Sequence, residues 1–200
     1  MNTFRYVEPA SVTEVVSVLK NDVNTSIMGG GSDLLSEIKN GTTQPNVLVG
    51  LSRISDLKGI TATDTDVRIG SMVTIAEISS APVIKKDYKA LSEAAAGLAT
   101  PQIRNVGTLG GNLNQRPRCW YYRNSLIPCL KKGGDKCYAL GGHTKYLCIT
   151  EGERCYIVHP SDTAVALSLF NARIEIASSM GTRIIPIDSF FVSPSQNILK

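Results

Sequence analysis

The stretch from Pro101 to Gly152 shows only weak periodicity, is rich in glycine, and leads into the last of five cysteines: Cys119, Cys129, Cys137, Cys148 and Cys155. A loop of that length without secondary structure of its own is rare in a compact domain. The chain therefore needs something besides apolar patterning to organise this segment, and thiols are the available candidates. Their odd number forbids complete internal pairing. The opening "MNTFRYVEPA" has no apolar leader, so a reducing, cytoplasmic setting is expected, in which thiols act as ligands or catalysts rather than disulfides. A single zinc ion is one reading, although the usual C-x2–4-C knuckle is missing. A [4Fe–4S] cluster, which needs four thiolates and tolerates varied spacing, is another. The blandest is that some are small buried apolar side chains.

The remainder alternates helix and strand. "SVTEVVSVLKN" puts Val12, Val15, Val16 and Leu19 on one helical face with Ser11 as N-cap. "NTSIMGGGSDLLSEIKNG" gives a strand, a glycine turn, a helix with Leu34, Leu35 and Ile38, and Gly41 as its stop. "PNVLVGL" is an apolar run of strand length, expected to be buried on both faces. "GITATDTDVRIGSMVT" predicts two strands around a polar turn, Thr74 a cap for "TIAEISS", and "KKDYKALSEAAAGLA" one helix. "CYIVHPSDTAVALSLFNARIEIASS" predicts strand, turn, helix and strand, followed by a hairpin through Gly181.

Three turns are candidate ligand sites. In "IMGGGSDLL" bare backbone lets an anion approach N–H groups at a helix start, and Ser32 is placed to cap or to donate. An ordinary tight turn is the competing reading, and the spacing matches neither G-x-G-x-x-G nor a P-loop. "VGTLGGNL" adds a second bare turn with Thr108 and Asn112 as polar donors, and two turns favour a pyrophosphate more than one does. "HPSDTAVAL" is the third, with Ser161 or Asp162 as cap or ligand. His159 is expected to be structural, and Asp33 and Asp162 to accept hydrogen bonds rather than form an acid–base pair. No residue is singled out as catalytic.

The formal charge of +4 and the absence of like-charge runs give no reason to expect nucleic acid. The apolar runs are strand-sized, so no membrane span is expected.

"MGGGSDLL", "PQIRNVGTLGGNL" and "HPSDTAVAL", in this order, resemble the FAD-binding medium subunit of molybdenum hydroxylases, the xanthine and carbon monoxide dehydrogenase family. The likeness covers essentially the whole chain. It implies an α/β (α+β), two-lobed FAD-binding domain of the molybdopterin dehydrogenase type. A small βαβ lobe would span residues 1–59 and a larger lobe with a mainly antiparallel sheet residues 60–180. Residues 181–200 would form a hairpin leading toward a further C-terminal domain outside this chain. By motif, Met28, Gly29, Gly30, Gly31, Ser32, Asp33 and Leu34, with Thr108, Gly110, Gly111 and Asn112, would cradle the pyrophosphate. Asp162 would also bind FAD, and Leu98 would lie near the flavin ring.

Most relatives pass quickly from the "GGN" turn to the "SD" turn, whereas here a cysteine-rich insertion at 115–156 intervenes. "CWYYRN", "PCLKKGGDKC" and "RCYIVHPSD" resemble the medium subunit of 4-hydroxybenzoyl-CoA reductase, whose insertion carries a [4Fe–4S] cluster. The resemblance implies Cys119, Cys129, Cys137 and Cys155 as ligands, with Cys148 the spare. Trp120, Tyr121 and Tyr122 would pack around the cluster, while Arg116, Arg118, Lys131 and Lys132 would form a solvated face or subunit contact. The implied function is an electron-transfer oxidoreductase component, FAD- and iron–sulfur-binding. Its partners would be a large molybdopterin subunit, a small [2Fe–2S] subunit and an external electron carrier. The alternative is a zinc-stapled, non-catalytic assembly module without flavin.

Overall fold

The computed structural model describes residues 2–150, 152 and 154–199. The first lobe contains β1 (Arg5–Val7), α1 (Val12–Asn21), β2 (Thr25–Met28), α2 (Leu34–Lys39) and β3 (Val47–Gly50). The three strands are parallel in the order β1-β3-β2, with Val47 opposite both Arg5 and Thr25. β3 is central, and its Val47, Leu48 and Val49 are all buried, as expected of a run with no polar alternation. Ser11 caps α1 by accepting from the Glu14 N–H. The inward face of α1 is Val12, Val15 and Val18, packed with Val47, Val49 and Ile54. Leu19, expected on that face, is exposed, because spacing by three turns the apolar stripe away from it. β1 has too little apolar character to stand out in the sequence; its partner β3 defines it.

In the second lobe β4 (Ile60–Ala62) and β5 (Val67–Ile69) form the expected antiparallel ribbon. α3 (Ile75–Ser80) starts with a full capping box, Thr74 with Glu77, which satisfies two helix-start donors reciprocally. The single helix expected next is two, α4 (Pro82–Asp87) and α5 (Lys89–Gly97). Tyr88 leaves helical dihedrals at φ −130° and ψ 48°. Its ring meets Phe170 edge-on at 5.1 Å, a tertiary contact that overrides local propensity. α6 (Pro101–Val106) and α7 (Leu109–Leu113) follow, capped by Thr100 and Thr108. The glycine turn at 108–112 is thus a short helix rather than an open turn.

Among the described residues, the insertion contains one short α-helix, α8 (Trp120–Arg123), and a 3-10 turn at Leu130–Lys132. No strand forms at "CYIV" among the described residues. α9 (Asp162–Ser168) leads to the hairpin of β6 (Arg173–Ser178) and β7 (Gly181–Pro186), which begins in the segment assigned above to the larger lobe. The antiparallel pairing of this lobe lies in two separate ribbons among the described residues, β4-β5 and β6-β7, joined by an Arg68–Glu175 ion pair of 2.9 Å. Its core is helical: Val73, Ile75, Ile78, Ile84, Leu91, Ala95, Leu109, Leu113 and Leu167.

Candidate functional site

The two glycine turns lie against each other. A Cβ on Gly30 would run into the Val106 carbonyl, and one on Gly29 would stand 2.5 Å from Thr108 Oγ1. The close approach that requires glycine here is therefore turn against turn. Gly110 is held likewise, against Ser71, whose carbonyl accepts the Gly110 N–H at 2.8 Å.

Their hydrogen bonding differs. In the second turn the N–H groups of Leu109, Gly110, Gly111 and Asn112 donate to Val73 O, Ser71 O, Thr108 Oγ1 and Thr108 O. In the first turn the N–H groups of Gly30, Gly31 and Ser32 have no acceptor among the described residues. Ser32 is exposed and does not cap α2; Asp33 occupies the cap position. Three neighbouring bare donors at one half-open turn fit an oxyanion, since phosphate oxygens are strong acceptors. The second turn supplies the wall behind them.

Asn112 joins this wall to the third turn. Its Oδ1 accepts from Ser161 Oγ at 2.6 Å and from Thr163 Oγ1 at 2.5 Å, both buried hydroxyls. Its Nδ2 has no acceptor among the described residues. Ser161 also caps α9 by accepting from the Ala164 N–H, so Asp162 stands exposed at the helix start. Met28 and Leu34 are half-buried at the two ends of the first turn. Leu98 is also half-buried, but it packs against the helical core, and its carbonyl accepts from Arg104. His159 packs on Phe191, ring centroids 4.5 Å apart.

Asp33 is turned toward the insertion. Its carboxylate accepts from the Arg116 N–H at 2.8 Å and pairs with Arg118 and, at 2.8 Å, with Arg123. Burial opposes its ionisation, but the Arg116 N–H and the two guanidinium groups outweigh that and hold the carboxyl below the usual range. Arg118 pairs with Asp33 while its side chain stays exposed to solvent. Lys131, expected on the same solvated face, is buried instead, its Nζ donating to Ile198 O at 3.2 Å. Of the three aromatics, Tyr122 is buried and lies against Glu37, and Tyr121 stacks on Tyr138. Trp120 is 65% exposed and shields nothing.

Cys129 and Cys155 are buried, and Cys119, Cys137 and Cys148 partly so. Burial pushes the Cys155 thiol up to about 11; nearby Cys137 and Cys119 add to the shift, while the Ile157 N–H and Lys131 oppose it. Lys131 in turn feels Cys155 and Cys129. Cys119 and Cys137 thus lie near enough to Cys155, and Cys129 and Cys155 near enough to Lys131, to act on their charges. Among the described residues, no three His, Cys, Asp or Glu side chains lie close enough to hold a single metal ion.

Sequence reasoning missed Ser71, Thr163 and the acidic pair Asp33 and Glu37 as the partners of Arg118 and Arg123. The i,i+4 spacing of the two acids on α2 was the available signal for the last. No helix among the described residues is long and apolar enough to cross a membrane.

Comparison with known proteins follows the same lines. The family described as the FAD binding domain in molybdopterin dehydrogenase matches residues 2–200. The aldehyde oxidoreductase FAD-binding subunit PaoB of Escherichia coli (strain K12) is 32% identical over 98% of this chain and 63% of its own length. The nicotinate dehydrogenase FAD-subunit of Eubacterium barkeri is 34% identical over 57% of this chain and 39% of its own. Among solved structures, carbon monoxide dehydrogenase from Hydrogenophaga pseudoflava superposes with a TM-score of 0.70 at 27% identity, over 96% of this chain and 53% of the matched one. The chain therefore spans less than two thirds of the length of these relatives.

Proposed function

This chain belongs to the family of FAD-binding domains in molybdopterin dehydrogenases, and from that membership we propose that it is an electron-transfer component of a molybdenum-dependent oxidoreductase. The observation that carries the flavin site is the row of unpaired N–H groups at Gly30, Gly31 and Ser32, backed by the turn at Thr108–Asn112. Those amides, with Asn112 Nδ2, would hold the pyrophosphate of FAD. Asp162, exposed at the start of α9, would accept from ligand hydroxyls. Leu98 and its neighbours would border the ring by way of their backbone, since the Leu98 side chain is committed to the core.

A [4Fe–4S] cluster on Cys119, Cys129, Cys137 and Cys155 is the second part of the reading. It is supported by the donor set itself, four thiols within one insertion, with Cys119 and Cys137 near Cys155 and with Cys129 and Cys155 near the same lysine. Flavin exchanges one or two electrons and a cluster one at a time, so together they link single-electron centres to a two-electron carrier. The chain's own contribution is to bind both, keep water off Cys129 and Cys155, and set their separation. A large molybdopterin subunit, a small [2Fe–2S] subunit and an external carrier are the partners this role requires. Substrate chemistry would lie on the large subunit.

Anaerobic purification with flavin, iron and zinc counted tests the reading. One FAD and about four irons per chain are expected; zinc alone in colourless protein would instead favour the stapled assembly module. Cys119→Ser and Cys155→Ser should each lose the irons and Cys148→Ser should keep them. Iron lost on replacing Cys148 would refute this ligand set.

A further inference from the structure

The contact between the insertion and α2 is more than docking. Arg123, with a side chain only 16% exposed, donates through Nη2 to Asp33 Oδ1 at 2.8 Å and to Arg116 O at 2.7 Å, and through Nε to Pro117 O at 2.8 Å. Its Nη1 stands 3.6 Å from Glu37 Oε1, a buried carboxylate oxygen with no hydrogen bond. Asp33 directly follows the first glycine turn, and Glu37 lies one helical turn further along α2. At the other end, the Arg123 N–H donates to Cys119 O at 2.9 Å across the single turn of α8. One helical turn thus separates a cysteine of the insertion from the guanidinium that fixes the flavin turn.

We propose that Arg123 is a positioning residue that couples the two sites: through Asp33 and Glu37 it locks the first glycine turn onto the loop bearing Cys119, so that filling the cysteine site tightens FAD binding and the reverse. The inference rests on the flavin and cluster reading above. Its physical basis is that one buried and one half-buried carboxylate and two guanidinium groups neutralise one another only while loop and helix stay in register. Ordering Cys119 holds α8 in that register, and the loose Glu37–Arg123 joint is the part left to close. Coupling of this kind is reciprocal by linkage.

The test titrates FAD, by quenching of flavin fluorescence, into the full chain either loaded anaerobically with ferrous iron and sulfide or stripped by chelator. The loaded wild type should bind FAD about tenfold more tightly than the stripped form. Arg123→Met and Asp33→Asn should bring that ratio close to one, the double variant should do no more than either single, and Arg123→Lys should restore part of it. A ratio of one in the wild type, or a ratio preserved in the variants, overturns the proposal while leaving both cofactors in place. Wild-type protein that binds neither group overturns the functional reading as well. Should Arg123→Met fail to fold, Arg118→Gln, at a side chain 55% exposed, is expected to shrink the ratio, and an unchanged ratio counts against the coupling.

Discussion

Asp33 shows how one side chain's surroundings decide its role. A carboxylate beside a glycine turn is readily taken for a ligand contact, yet this one is consumed by Arg116, Arg118 and Arg123. Because its carboxyl is held below the ordinary value of 3.8, its contribution to stability is complete above that value and disappears as pH falls through the lower, folded-state value. Urea unfolding measured down to about pH 3 should show the wild type losing stability in acid more steeply than Asp33→Asn; parallel curves would mean the ion pairs contribute nothing. Gly30 makes a second case. Gly30→Ala drives a methyl group into the Val106 carbonyl, and overpacking of that kind costs about 1–3 kcal/mol. Gly97→Ala, at the end of α5 with nothing within 4 Å, should instead gain about 0.5–1 kcal/mol from helix propensity. Thermal melts of the two variants should move in opposite directions.

Between elements, the joint that matters most is α7 to α9, where Asn112 Oδ1 receives two buried hydroxyls. Thr163→Val keeps the shape and removes one donor, for about 1 kcal/mol. Adding Ser161→Ala strands the amide oxygen and should cost about 1–3 kcal/mol more, read from the urea midpoint. Neither the joint nor its energy is visible in the sequence, since residues 112 and 163 meet only through the folded chain. What was visible has local causes. Ser11 and Thr74 cap their helices as read, and Ser161 does so of the two candidates there, because a cap is decided within three or four residues. The buried character of β3 was legible in "VLV", and the β4-β5 turn in its run of threonine and aspartate. The break at Tyr88 was not, because Phe170, far along the chain, makes it. The glycine motifs marked two turns that lie against each other, but not that the second would spend its amides inside the protein. The cysteine-rich segment stood out in the sequence, whereas the arginines that moor it to α2 could only be recognised once α2 stood beside them.

At the scale of the whole molecule, stability is unevenly distributed. The first lobe has its own apolar cluster around Val49 and Ile54, and the second a larger one around Ile75, Ile78 and Ile84. The insertion's buried residues, among them Tyr122, Cys129, Ala139, Leu147 and Cys155, belong to neither. Residues 115–156 also hold eight basic and three acidic side chains out of 21 and 17, so this stretch carries +5 and the rest of the chain −1. A segment short of apolar burial and repelling itself folds only if another interaction compensates. The acids of α2 supply part of the compensation, at one edge. Thiolates gathered on a metal centre would supply the rest from within, because metal binding that requires a folded site is itself folding free energy. Removing that centre should therefore unfold the insertion while the lobes, whose cores it does not share, remain intact. Limited trypsin digestion followed by mass analysis gives the direct reading, since Lys132, Lys136 and Lys145 all lie inside the segment. Protein as isolated should resist cleavage there, and chelator-treated protein should be cut there first, yielding two large fragments that stay associated. Equal resistance with and without chelator would mean that the ion pairs to α2 and the few buried side chains hold the segment by themselves.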